Sequence, residues 1–123
     1  MKGIAFYFMA LAAVSALIGM AWGIQMSASG NHALSPAHAH LNLLGWVSLS
    51  IFGVYYHLVP RAAETMLAKV HFALAAVGLI VIVPGIVSAL RQTGEAMAKL
   101  GSVLSILSML CFLVVMILNR SRA

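Results

Sequence analysis

Pro36-Ala37-His38-Ala39-His40-Leu41-Asn42-Leu43-Leu44-Gly45-Trp46 opens an apolar run that closes at His57-Leu58-Val59-Pro60. An uncharged stretch of about 20 residues or more between two prolines is long enough, as a helix, to cross ~30 Å of hydrocarbon. Three of the five histidines of the chain, His38, His40 and His57, lie inside it. Imidazole is costly in a bilayer unless it is paired, solvated or ligated, so this cluster is the first place to look for function.

The surroundings of that stretch are of the same kind. Of 123 residues, 63% are hydrophobic and 7% charged. A soluble domain carries about 25% charged residues, so the composition specifies an integral membrane protein. The net charge of +5 comes from seven Lys and Arg against Glu64 and Glu95. These charges stand between and beyond the apolar runs and form no basic patch or stripe, which excludes a nucleic-acid-binding surface. The single cysteine, Cys111, lies deep in the last apolar run and reads as a small packing residue.

Four spans follow, at residues 3–24, 37–59, 67–90 and 100–118, within one membrane domain covering 1–123. The expected fold is all-α, a four-transmembrane-helix bundle. Lys2 before an apolar block also resembles a signal peptide, but the block is long for an h-region and Ser27-Ala28-Ser29 is a weak cleavage site, so a retained helix is expected. Gly19 and Gly23 allow close approach of a second helix, and Gly101, Ser105 and Ser108 form a small-residue packing stripe. Ser35 is the expected N-cap before Pro36. Pro84 interrupts the third span and predicts a kink. The short link after Pro60 makes the second and third spans antiparallel neighbours.

Basic residues give an orientation. Lys2, Arg61, Lys69, Arg120 and Arg122 fall on one side, and Arg91 and Lys99 on the other. The positive-inside rule then puts both termini in the cytoplasm of an inner (plasma) membrane. His32, His38 and His40 would lie near the outer face, and His57 and His71 near the inner one.

His38 and His40 stand about 200° apart around a helix and cannot chelate one metal together. His38 shares a stripe with Asn42, Gly45, Leu49, Phe52 and Tyr56. His40 shares one with Leu44, Val47, Ile51 and Leu58, an apolar surface of the kind that walls a porphyrin. The plain readings are equally concrete. His32 is a loop residue, His57 and His71 flank the link and could bond each other or headgroups, and His38 and His40 could form an outer-interface pair.

The His-Ala-His-Leu-Asn-Leu-Leu-Gly-Trp core resembles the heme-binding helix of the catalytic subunit (subunit I) of heme-copper oxidases and nitric oxide reductases, whose His-x-His pair serves two hemes on opposite sides. The resemblance covers one helix, about a fifth of the chain. It implies heme b held by His40, then by His38, with Asn42 and Gly45 beside it. That family's subunit has about a dozen helices in three four-helix arcs, so this chain would be one arc that regenerates the ring as a homotrimer. His71 stands roughly where the family carries copper ligands, but the family's adjacent His-His pair is absent, so copper and oxygen or nitric oxide reduction are not carried over.

The expected function is therefore a b-type cytochrome-like membrane protein, active in electron transfer or in heme-based redox or gas sensing. Lipid, further copies of the chain and a redox partner or quinone would be its partners, with Tyr56 and His57 the residues nearest a quinone. Two alternatives come from other classes: a cofactor-free structural or assembly subunit, and a small metal-binding transporter using His38, Asn42 and Tyr56.

Overall fold

The computed structural model describes residues 1–120 as helices joined by short turns. Four of them are long and apolar enough to cross a membrane: α1 (Gly3–Ser29), α2 (Ser35–Leu58), α3 (Met66–Leu90) and α4 (Ala96–Leu118). A single turn, Pro60–Ala63, bridges α2 and α3. The expected four-span bundle is present, with α1 running five residues beyond residue 24. Membrane-crossing helices of this length place lipid against the exposed Leu17, Ile18, Ile51, Ile80 and Ile106. The chain is thus a multi-pass membrane protein. Arg122, counted above on the basic side, lies outside the described residues.

Contacts between residues distant in sequence set the topology. Gly45 meets Ser15 and Gly53 meets Ala5 and Met9, so α1 and α2 run antiparallel. Tyr56 meets His71 across the next seam, and Gly85 meets Ala98 across the last. Each span therefore reverses the one before. α4 packs along α3 and meets α2 through Phe112, which lies against Phe52 and Tyr55. At the end carrying Lys2 and the 60–65 link, Arg61 Nη2 donates to the Asn119 carbonyl at 2.9 Å, pinning the end of α4.

Local chemistry explains the ends and the irregularities. α1 stops where Gly30 takes a left-handed φ of 68°, open to glycine without a Cβ clash. Ser35 is already inside α2, and its hydroxyl donates to the His32 carbonyl at 2.8 Å instead of capping the helix. Thr65 is the working cap, accepting from the Ala68 N–H to start α3. α3 continues past Pro84, whose ring lies on the exposed face where neighbours do not crowd it.

The middle of α2 is not an ordinary α-helix. Leu41–Val47 winds as a π-helical turn. Ser48 stabilises it, donating both its N–H and its hydroxyl to the carbonyl of Leu43, five residues back. Gly45 lets the widened turn sit against α1, since a Cβ there would be 2.7 Å from Ser15. Such turns are frequent at functional sites. This one begins directly after His40.

Candidate functional site

Two polar groups lie in the bundle, one in each half of α2. In the half near the 30–35 turn, the His38 stripe faces inward: Gly45, Leu49, Phe52 and Tyr56 are buried, and His38 and Asn42 half-buried. His38 Nε2 lies 2.9 Å from the carbonyl oxygen of Gly19. A carbonyl only accepts, so the proton of His38 is on Nε2. Asn42 Nδ2 donates to the His38 carbonyl at 2.9 Å, and its Oδ1 rests where a Cβ of Gly19 would be, 2.6 Å away. Gly23 gives the imidazole its floor, and Trp22 meets it edge-on at 5.9 Å. The Gly19/Gly23 pair thus accommodates these two polar side chains. His38, Asn42 and Gly45, three of the residues expected at a cofactor, are engaged in the α1–α2 seam.

His40 has a different setting. Its Nδ1 lies 2.7 Å from the carbonyl of Pro36, one turn back. Nδ1 must therefore carry the proton, which leaves the Nε2 lone pair with no hydrogen bond among the described residues. The ring is half-buried, and beyond it Val47, Ile51 and Leu58 are 41%, 55% and 71% exposed. The apolar stripe of His40 thus lies on the outside of the four-helix unit. Leu44 departs from it, turning toward Ala75 and Leu79 of α3. His32 is exposed in the turn, as a loop histidine should be.

The second group was half-legible. His71 is wholly buried, and its Nδ1 is 2.8 Å from the hydroxyl of Tyr56. Its partner is Tyr56 and not His57, which is exposed beside the link. The reason is rotational: Tyr56 lies on the buried stripe of α2, and the next residue along points about 100° away. Phe8, Phe52 and Phe112 enclose the imidazole with ring centroids at 5.0, 4.5 and 5.4 Å. Its Nε2 is buried with no hydrogen-bond partner among the described residues. Cys111 packs nearby, with Sγ 3.7 Å from the carbonyl of Leu67.

Sequence reading missed this aromatic cage because Phe8, Phe52 and Phe112 come from three different spans. The Tyr56→Phe protein should keep the ring stacked on Phe8 but leave both His71 nitrogens unpaired. A loss of about 1–3 kcal/mol is expected, read as the unfolding midpoint in detergent. An unchanged midpoint would mean that the pair contributes nothing to folding.

Between the two polar groups, Leu49 and Phe52 fill the inward face, and the crevice beside them holds only about 30 Å³. Larger spaces open at the two ends. A groove of about 480 Å³ lies among Lys2, Ile4, Ala5, Tyr56, His57 and Glu64. One of about 450 Å³ at the other end is bordered by Trp22, Gln25, Asn31 and Arg91. Among the described residues no group of three or more His, Cys, Asp or Glu converges to hold a metal ion. No family model, curated protein or solved structure matches the chain.

Proposed function

We propose that this chain is a membrane-embedded heme-binding protein of the b-cytochrome type, resembling one arc of the catalytic subunit of heme-copper oxidases, that works in electron transfer or in heme-based redox or gas sensing. The observation that carries the reading is the state of His40. A backbone carbonyl holding Nδ1–H fixes the tautomer and ring orientation and raises the basicity of Nε2, which is how ligating imidazoles are commonly prepared. Nε2 is left free on a flank continued by exposed aliphatic side chains, a suitable setting for an apolar macrocycle. His40 would hold heme b through Nε2, and the heme, when bound, would supply a one-electron couple or a gas-binding iron. His38 fits the role less well, since its Nε2–H is held by Gly19. His71 is hydrogen-bonded to Tyr56, and among the described residues no group of three or more His, Cys, Asp or Glu forms around it, so copper is not part of the proposal.

Because the His40 flank lies outside the four helices, a second copy of the chain would close the site. This supports assembly as a homotrimer with three such arcs in a ring. The bias of basic residues supports an inner-membrane location with both termini cytoplasmic. The decisive measurement is a reduced-minus-oxidised absorption spectrum of protein purified in mild detergent, with pyridine hemochrome quantification. Sharp reduced α and β bands at a fixed heme-to-chain ratio are expected, and colourless protein after expression with added hemin would overturn the reading. Native mass in the same detergent should be that of a trimer; a monomer would remove the ring.

One set of contacts favours a cofactor-free structural subunit instead. Both His38–Gly19 and Tyr56–His71 join neighbouring helices, which is what histidines of a purely architectural bundle would do. That reading leaves His40 without a role, and the spectrum separates the two.

A further inference from the structure

The groove at the end of the bundle opposite Lys2 plays no part in the heme reading. It lies between the end of α1, the 30–35 turn and the end of α3, with a volume of about 450 Å³. We propose that it binds the phosphodiester headgroup of an anionic phospholipid, with the Arg91 guanidinium as the charge partner.

The hydrogen-bonding groups that line it divide into spent acceptors and unused donors. The Ser29 hydroxyl donates to the Met26 carbonyl at 3.3 Å and accepts from the Asn31 N–H at 3.2 Å. Asn31 Oδ1 accepts from the Ala33 N–H at 3.0 Å, which leaves its amide nitrogen unused. The Trp22 indole, the Gln25 amide and the Arg91 guanidinium line the same groove, and their side chains make no hydrogen bond among the described residues. Helix ends also bring carbonyl oxygens here, but those closing α3 are taken by its own backbone. Val87, Ser88 and Ala89 accept from the N–H groups of Arg91, Thr93 and Gln92. The balance is an excess of donors.

Charge points the same way. Glu95 pairs with Lys99 at 3.6 Å, and Glu64 lines the groove at the Lys2 end. No carboxylate lies within ion-pair distance of Arg91 among the described residues, and Arg91 is exposed. A guanidinium holds phosphate oxygens in a planar, two-pronged contact. A phosphodiester supplies one negative charge and several acceptors, which complements this set of groups. A choline or ethanolamine headgroup would add a cation for which the groove has no carboxylate.

The position of the groove selects a lipid over a free phosphate. It lies at the ends of two membrane-crossing helices, and Met26, Leu34 and Leu90 continue its wall. Leu90 is 41% exposed, so acyl chains can run on from the headgroup against aliphatic surface. Tryptophan, here Trp22, is the residue type that gathers at headgroup level. Basic pockets between membrane helices bind lipid headgroups by this combination.

The test is native mass spectrometry of the full chain released from micelles holding phosphatidylglycerol and phosphatidylcholine at equal mole fraction. Bound heme differs in mass from either lipid and does not interfere. One retained phosphatidylglycerol per chain is expected, favoured ~10-fold over phosphatidylcholine. Arg91→Gln should bring the two lipids to near parity, a ~10-fold loss equivalent to one charge-assisted hydrogen bond. Ala33→Trp fills the groove without removing a charge and should retain neither lipid, which keeps the test decisive if Arg91→Gln does not fold. Lys99→Gln removes a cation from the same end of the bundle but outside the groove, and should keep the wild-type preference. Equal losses in Arg91→Gln and Lys99→Gln would reduce the effect to general surface charge and overturn the proposal. Equal retention of the two lipids by the wild type would overturn it as well. So would displacement of the lipid by excess inorganic phosphate, which would assign the groove to a soluble anion.

Discussion

His40→Ala protein, expressed with excess hemin, should be purified without heme, while His32→Ala protein should carry the wild-type complement. The expected effect is total because no other described histidine combines a free nitrogen with an apolar, accessible flank. His38 has its Nε2–H on the Gly19 carbonyl, His71 is sealed among three phenylalanines, and His32 and His57 are exposed beside the turns. Removing His40 also removes nothing from the core: its one hydrogen bond is to the carbonyl of Pro36, in the first turn of its own helix. The variant should therefore fold, with an unfolding midpoint close to that of the wild type. Heme retained in His40→Ala would sink the ligand assignment and move attention to His38. Loss of heme together with loss of folding would say that His40 is structural.

Gly101→Leu should have the largest effect on the fold. A Cβ at Gly101 would lie 2.6 Å from Cα and Cβ of Ile82, and one at Gly85 would lie 2.5 Å from the backbone nitrogen of Ala98. These contacts are to backbone atoms and to a Cβ whose position the backbone fixes, so nothing can rotate away and α4 would have to move off α3. A loss of about 3 kcal/mol is expected, the upper end for overpacking. Lipid tails are as apolar as the helix faces, so close packing rather than burial from water holds α4 in place. Gly23→Ala is the matched control: its new Cβ would meet the edge of His38 at 3.4 Å, ordinary contact, and should cost well under half as much. Titration from mild detergent into dodecyl sulfate, followed by helicity, reads both. Equal midpoints for the two variants would show that the α3–α4 approach is not what stabilises the bundle.

These expectations drew unequally on sequence and structure. The His38–Tyr56 stripe was legible because α2 is the one span with polar side chains distributed along a face, and a polar group in a membrane helix turns toward a partner. The packing roles of Gly19, Gly23, Gly101 and Ser108 were legible for a related reason, since small residues in apolar helices mark close approach. The pairing of His71 was not. Apolar residues occupy every side of α3, so its pattern does not say what His71 turns toward. The π-helical turn was hidden as well, because it depends on Ser15 of another helix as much as on Gly45 and Ser48.

The sequence by itself determined that there are four spans, where each begins and ends to within a few residues, and that consecutive spans reverse direction. Hydrophobic length, proline and glycine act locally, and the shortness of the links leaves no other course. Only the tertiary structure decided the rotation of each helix, and with it which imidazole is held by Gly19, which by Tyr56, and which keeps a free nitrogen. Rotation is set by contacts between residues 15 or more positions apart, where a difference of about 100° separates Tyr56 in the core from His57 at the surface.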